Sequence, residues 1–174
     1  MDAVSLLRQQ LQDAHGFLEG TMKDVTADQA HWAPPGIANP LGASYAHAVM
    51  SEDFIINGML KGSAPLVMST WAGKIGLSEP PPPPTEPWDQ WGRQVRIDLG
   101  ALRQYAQDVY KASDEYLASL NGDALNRPLD LSAFGVGEQT VGWLLNNAVL
   151  GHINGHCGEV SCLKGLQGVK GYPF

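Results

Sequence analysis

The apolar positions of this chain recur every three to four residues in four long stretches, a spacing typical of amphipathic helices. These stretches cover about residues 2–22, 41–60, 85–120 and 140–166. Because strands do not alternate with helices anywhere in the pattern, a sheet of any size is not expected. The pattern therefore predicts an all-α fold, a four-helix bundle, and the length of 174 residues fits a single domain spanning residues 1–174.

Segments rich in Pro and Gly separate the four predicted helices. After the first helix, T-A-D-Q-A-H-W-A-P-P predicts a single helical turn with Thr26 as its N-cap. The connection between the second and third helices, residues 63–84, ends in five consecutive prolines. Such a run forms neither a helix interior nor a paired strand, so it predicts a stiff polyproline II crossover. Thr85 is the expected N-cap of the third helix, which is predicted to be continuous.

Composition and charge exclude several classes of function and location. The net charge is −7 and the eleven Lys and Arg residues are scattered, so binding to DNA or RNA is disfavoured. No stretch indicates a membrane span, and the start of the sequence lacks a secretory pattern, so we expect a cytoplasmic protein. Cys157 and Cys162 lie five residues apart on one predicted helix, where side chains diverge. Both are expected to be reduced residues of the core.

The sequence H-I-N-G-H, from His152 to His156, is the most informative motif of the chain. Helical residues at i and i+4 lie about 6 Å apart along the axis and about 40° apart around it, so both imidazoles can reach one metal ion. His47, in S-Y-A-H-A-V-M on the second helix, is the candidate third ligand. Three neutral imidazoles suit zinc, nickel, copper or iron(II) and suit magnesium or calcium poorly. The spacing alone leaves a metal site and a set of core histidines as equal alternatives.

Three carboxylates lie close to these histidines in sequence. Glu159 shares the helical face of His156, where it could orient that imidazole, act as a general base, or be a solvated side chain. Glu52 and Asp53 follow His47, but the helical spacing points them off its face. Glu159 is therefore the one candidate catalytic residue beside the three candidate ligands.

Two other features of the pattern have structural or functional interpretations. His15 and His31 are expected to be surface or capping residues. The last helix also contains Gly151, Gly155 and Gly158, which form a stripe beside the histidine pair. Each glycine inside a helix costs about 0.5–1 kcal/mol relative to alanine. Either the close approach of a helix or a ligand offsets that cost, or the glycines reflect local packing alone.

Several segments together resemble the DinB-like (DinB/YfiT) superfamily of four-helix-bundle proteins. They are T-A-D-Q-A-H-W-A-P-P, S-Y-A-H-A-V-M-S-E-D, T-V-G-W-L-L-N-N-A-V-L-G-H-I-N-G-H-C-G-E-V and the closing L-K-G-L-Q-G-V-K-G-Y-P-F. The resemblance implies an up-down-down-up bundle with a long Pro-rich crossover between helices two and three. It also implies a divalent metal, often zinc or nickel, held by one histidine of helix two and an H-x-x-x-H pair of helix four. In this sequence those residues are His47, His152 and His156.

The resemblance also implies a type of activity. Characterised relatives include thiol-dependent transferases and isomerases, and many members are dimers. We therefore expect a homodimer that acts on a small molecule, with the metal activating a low-molecular-weight thiol. Three histidine ligands also leave a coordination position open, as in catalytic zinc sites. A metal-dependent hydrolase, a non-catalytic protein that binds metal or a small ligand under stress, and a helical interaction protein stay open as alternatives.

Overall fold

The computed structural model describes residues 1–83 and 87–174, and most of these residues are helical. The α-helices in chain order are α1 (Ala3–Met22), α2 (Ala27–His31), α3 (Leu41–Asp53), α4 (Trp88–Gln94), α5 (Leu99–Ser119), α6 (Val141–Leu144) and α7 (His152–Leu166). Two π-helical segments extend this set: Phe54–Leu60 continues α3, and Leu145–Gly151 joins α6 to α7. Single 3₁₀ turns occupy Leu66–Met68, Gly122–Asn126 and Ser132–Phe134. Strands β1 (Pro128–Asp130) and β2 (Glu138–Thr140) form a small antiparallel pair with Pro128 opposite Thr140.

Side-chain caps fix where several helices begin. Asp2 precedes α1 and accepts the backbone N–H of Ser5 at 2.9 Å. Thr26 precedes α2 in a reciprocal capping box: its hydroxyl accepts the Gln29 N–H at 3.2 Å, and the Gln29 side chain accepts the Thr26 N–H at 2.9 Å. Thr140 likewise caps α6. The predicted single turn after the first helix, with Thr26 as N-cap, is confirmed.

The prediction of one continuous third helix is wrong, because two helices, α4 and α5, occupy that stretch. Between them the backbone N–H of Ile97 donates to Nε2 of His31 at 2.9 Å instead of to a helical carbonyl. Asp98 then starts α5 by accepting the first free N–H groups of the new helix. Buried Val95 and Ile97 anchor the break in the core, so local packing overrides the helical period.

The proline-rich crossover is only partly described. Residues 80–83 form neither helix nor strand. The predicted N-cap Thr85, together with Pro84 and Glu86, lies outside the described residues. The polyproline II geometry of the crossover stays a prediction.

The long helices pack against one another around a common apolar core. Helix α3 contacts α5 and α7, and α1 contacts the same two helices, so α1 and α3 lie diagonally opposite each other. Fully buried side chains from each long helix meet there, including Leu18, Tyr45, Leu102 and Ile153. Burial of one large aliphatic side chain stabilises the fold by about 1.5–3 kcal/mol. The up-down-down-up order of the helices stays a prediction, and no helix of the described residues is long and apolar enough to cross a membrane.

Candidate metal centre

The packing of α3 against α7 brings the three predicted histidines together. Nε2 of His152 lies 3.2 Å from Nε2 of His47 and 3.0 Å from Nε2 of His156. The candidate ligand atoms of the three side chains all lie within 4.8 Å of one another, and all three residues are partly buried. Within residues 1–83 and 87–174 no other group of three His, Cys, Asp or Glu side chains converges in this way. The three residues are called the triad below.

The spacing of the nitrogens fits a small divalent cation. In a tetrahedral zinc site, Zn–N bonds of about 2.0–2.1 Å place the ligand nitrogens about 3.3–3.4 Å apart. The 3.0 and 3.2 Å separations in the triad are a few tenths of an ångström shorter. Three imidazole nitrogens that point at one another repel unless a proton or a cation lies between them. The donor set and its spacing therefore fit zinc or a metal of similar size.

Burial keeps two members of the triad in the metal-binding form. Burial, followed by repulsion from a charged His156, lowers the pKa of His47 to about 4, against a smaller opposing effect of Glu159. Burial also lowers the pKa of His152 to about 4, with repulsion from His156 and His47 as the smaller causes. Both imidazoles are uncharged at neutral pH, so no proton has to leave before a metal binds.

Glu159 pairs with the outer nitrogen of His156. Its Oε2 lies 2.6 Å from Nδ1 of His156, while Nε2 of the same ring belongs to the triad. The carboxylate accepts the Nδ1–H, which leaves the Nε2 lone pair for a metal. Carboxylates that hold a ligand imidazole in this way are common at metal sites. This geometry supports the orienting role of Glu159, whereas a role as general base stays a prediction.

Trp88 on α4 is a site residue that sequence analysis missed. Its ring centroid lies 4.6 Å from that of His47, with an interplanar angle of 75°. The Trp88 ring also contacts the ring of Trp91, with centroids 4.9 Å apart and an interplanar angle of 72°. The spacing W-x-x-W after the proline run could have indicated an aromatic face, but no sequence signal connects that face with His47.

The expectation that His15 is a surface or capping residue is wrong. Its side chain is buried, and its Nε2 lies 2.9 and 3.1 Å from the two carboxylate oxygens of Glu52. The ring also stacks on Tyr110 with centroids 3.8 Å apart. Glu52 reaches across the core from α3, and Ser113 of α5 donates to it as well. Because a buried carboxylate needs partners, His15 is held in the core by a residue that periodicity could not connect with it.

The other residues considered from the sequence contribute no ligand atom to the triad. Asp53 points off the His47 face, as the spacing predicts. His31 accepts the Ile97 N–H and thus has a capping role, with Nδ1 2.7 Å from the carbonyl oxygen of Ala27. Both cysteines are free thiols, as predicted. Cys157 is buried, but Cys162 is exposed, so the assignment of Cys162 to the core is wrong.

Among residues 1–83 and 87–174, no second helix approaches the glycine stripe, which begins at Gly151 in the π-helical segment and continues with Gly155 and Gly158 of α7. A Cβ atom on Gly155 would meet nothing within 4 Å, and one on Gly158 would meet only the Tyr172 hydroxyl, at 3.6 Å. At Gly151 the nearest atom is the carbonyl oxygen of Asn146, 3.2 Å away, in the preceding turns of the same helical stretch. Close helix packing therefore does not explain these glycines.

Comparison with known proteins identifies the family and the fold of the chain. A sequence model of the DinB superfamily matches residues 9–160, which is most of the chain. The chain belongs to the DinB superfamily. Comparison with curated proteins gives no match. Among solved structures, a conserved protein of Enterococcus faecalis is similar with a TM-score of 0.79, covering 95% of this chain and 97% of that one at 22% identity. DinB proteins are commonly metal-binding, and the triad is a possible three-histidine site of that kind.

Proposed function

We propose that this DinB-superfamily protein is a divalent-metal-dependent enzyme that transfers a low-molecular-weight thiol to a small electrophile. The observation that carries the proposal is the convergence of three Nε2 atoms, from His47, His152 and His156, within reach of one ion. Catalytic sites keep a coordination position open beside three protein ligands, whereas structural zinc sites are closed by four. When bound, zinc or nickel supplies Lewis acidity that lowers the pKa of a thiol or water at that position.

The residues around the triad favour a thiol over water as the nucleophile. Glu159 hydrogen-bonds to Nδ1 of His156, on the side of the ring that faces away from the Nε2 cluster. It is therefore poorly placed to take a proton from a water molecule at the open position, which a hydrolase requires. A thiol needs less help because its ordinary pKa of about 8.5 is already close to neutral. This placement supports thiol transfer over the alternative of metal-dependent hydrolysis.

The proposal also covers assembly, location and helix order. It includes a homodimer, a cytoplasmic location and an up-down-down-up four-helix bundle, all of which the family resemblance or the sequence pattern favours. Nucleic acid and membranes are not proposed as partners, since the net charge of −7 repels phosphate groups.

Elemental analysis of the purified, untagged protein tests the metal first. We expect about one zinc or nickel ion per chain, lost in a His152→Ala/His156→Ala double variant and kept in His31→Gln, which removes an imidazole outside the triad. The loaded protein is then screened with thiols and a chromogenic aryl electrophile. Metal that does not bind even after reconstitution contradicts the proposal. Metal binding without turnover for any thiol indicates a non-catalytic metal-binding protein.

A further inference from the structure

Trp88 contacts a triad residue but has no part in the proposed thiol chemistry. We propose that Trp88 forms an aromatic wall of a substrate subsite beside the triad, and that this wall selects ligands with a flat, uncharged ring. The inference rests on the metal site of the proposed function. The Trp88 ring meets the His47 ring edge-on at 4.6 Å, and the side chain is only partly buried, so part of its surface faces outwards.

The packing of α4 along α3 determines where Trp88 lies. Trp88 meets His47, and Gly92, four residues later, approaches Ala43, four residues before His47. A Cβ on Gly92 would lie 3.2 Å from Cβ of Ala43 and 2.9 Å from Oδ1 of Asn39. Residues at i and i+4 share one helical face. The face of α4 that carries Trp88 and Gly92 therefore packs antiparallel against the face of α3 that carries Ala43 and His47. The lack of a side chain at Gly92 permits this approach and thereby places Trp88 at the triad.

Arg93 fixes the other end of α4. Its guanidinium donates to the carbonyl oxygens of Pro34, Gly36 and Ala38 at 3.0, 2.6 and 3.0 Å. The buried ring of Trp91 packs edge-on against Trp88, with centroids 4.9 Å apart. Gly92 and Arg93 anchor α4, and Trp91 packs against Trp88, so the Trp88 ring is oriented before a ligand binds. Such preorganisation lowers the cost of binding.

The chemistry of this wall indicates the class of ligand. An indole ring offers a large apolar surface, and favourable ring–ring geometry raises affinity by roughly two- to ten-fold beyond burial alone. The carboxylate of Glu159, with its side chain 57% exposed beside His156, disfavours an anionic ligand body at the same site. The preferred substrates are therefore uncharged compounds with an aromatic ring next to the atom that meets the metal.

Azole binding to the full chain, reconstituted with cobalt(II), tests the inference. The probes are imidazole and benzimidazole, which bind metals through one ring nitrogen and differ by a fused benzene ring. Their dissociation constants are measured from the visible cobalt spectrum, and the ratio of the two is compared between variants. The comparison cancels the different basicities of the azoles. We expect the preference for benzimidazole to fall about five-fold in Trp88→Ala and to persist in Trp88→Phe.

Two further variants complete the test. Trp71→Ala is the matched control, because Trp71 is also partly buried but its indole donates to Asp108 at 2.8 Å, and we expect the wild-type ratio. Trp88→Leu keeps apolar volume without a ring and replaces Trp88→Ala if that variant does not fold; we expect the same loss of preference. A wild-type ratio in a folded, cobalt-loaded Trp88→Ala or Trp88→Leu protein overturns the inference and leaves the proposed function standing. If neither azole changes the wild-type cobalt spectrum, the open position is absent and both fail.

Discussion

The role of Glu159 can be decided by measuring metal affinity, and Glu159→Ala is the informative change. The carboxylate lies 2.6 Å from Nδ1 of His156, and a hydrogen bond with a charged partner contributes about 1.5–3 kcal/mol. Because the Glu159 side chain is 57% exposed, water competes for the bond and the lower end applies. A loss of about 1.4 kcal/mol corresponds to about ten-fold weaker metal binding. Removal of comparable supporting residues at other metal sites costs about 10- to 100-fold.

Competition between the protein and a chromophoric chelator for zinc, at fixed pH and ionic strength, measures this loss. Glu159→Gln keeps a carbonyl acceptor, so we expect a smaller loss of about three-fold. Glu115→Ala is the matched control: the Glu115 side chain is 65% exposed and pairs only loosely with Lys111, at 3.9 Å. It removes the same charge from α5, a helix that carries no triad residue, so its zinc affinity should change less than two-fold.

The two roles of Glu159 give opposite results. If Glu159 orients His156, the affinity for zinc falls in Glu159→Ala and turnover recovers when zinc is supplied in excess. If Glu159 is a general base, affinity stays at the wild-type value while turnover falls at saturating metal. Wild-type zinc affinity in Glu159→Ala would refute the orienting role argued from the geometry.

Three further measurements test the structure away from Glu159. As the pH falls from about 6.5 to about 4, the metal-free protein should lose stability, because the unfolded chain protonates His47 and His152 before the folded chain does. Each histidine lowers the free energy of unfolding by at most about 3 kcal/mol over this range, and partial solvent exposure reduces that effect. Urea unfolding across this pH range measures the loss. If the free energy of unfolding of His152→Ala varied with pH as steeply as that of the wild type, the prediction would be contradicted. Glu52→Ala should cost about 3–5 kcal/mol in urea unfolding because buried His15 loses its partner, against less than about 1 kcal/mol for Glu115→Ala. Leu18→Ala, at a fully buried position, should cost about 2–5 kcal/mol, whereas Leu6→Ala, 49% exposed, should cost far less; equal losses in urea would contradict the assigned core.

Periodicity predicted the helices well wherever one apolar face is buried along the whole stretch. The first helix, expected over about residues 2–22, is α1, Ala3–Met22. The turn capped by Thr26 also follows from local chemistry, because a capping box involves only residues three positions apart. The H-x-x-x-H spacing of His152 and His156 is local in the same sense, since one helix holds both residues.

The features that sequence analysis missed depend on contacts distant in sequence. At the break before α5, the imidazole of His31 accepts the Ile97 N–H. No sequence pattern near Ile97 predicts this partner. The π-helical segments Phe54–Leu60 and Leu145–Gly151 shift hydrogen bonds by one residue without interrupting the apolar pattern. One of them ends directly before His152, and it therefore helps to set the direction in which the histidine pair points. π-Helical turns are frequent at functional sites, which fits this position.

The position of His47 depends on the opposite face of α3. Glu52 lies five residues after His47, about 140° around the helix, and pairs with His15 and Ser113. Asp53 accepts the Tyr105 hydroxyl at 2.7 Å. A helix that rotated or slid would leave these carboxylates buried without partners, at a cost of about 3–5 kcal/mol for each broken pair. A slide of one turn, about 5.4 Å, would also carry His47 out of reach of His152 and His156. The buried polar network thus holds α3 in the register that brings its histidine to the triad.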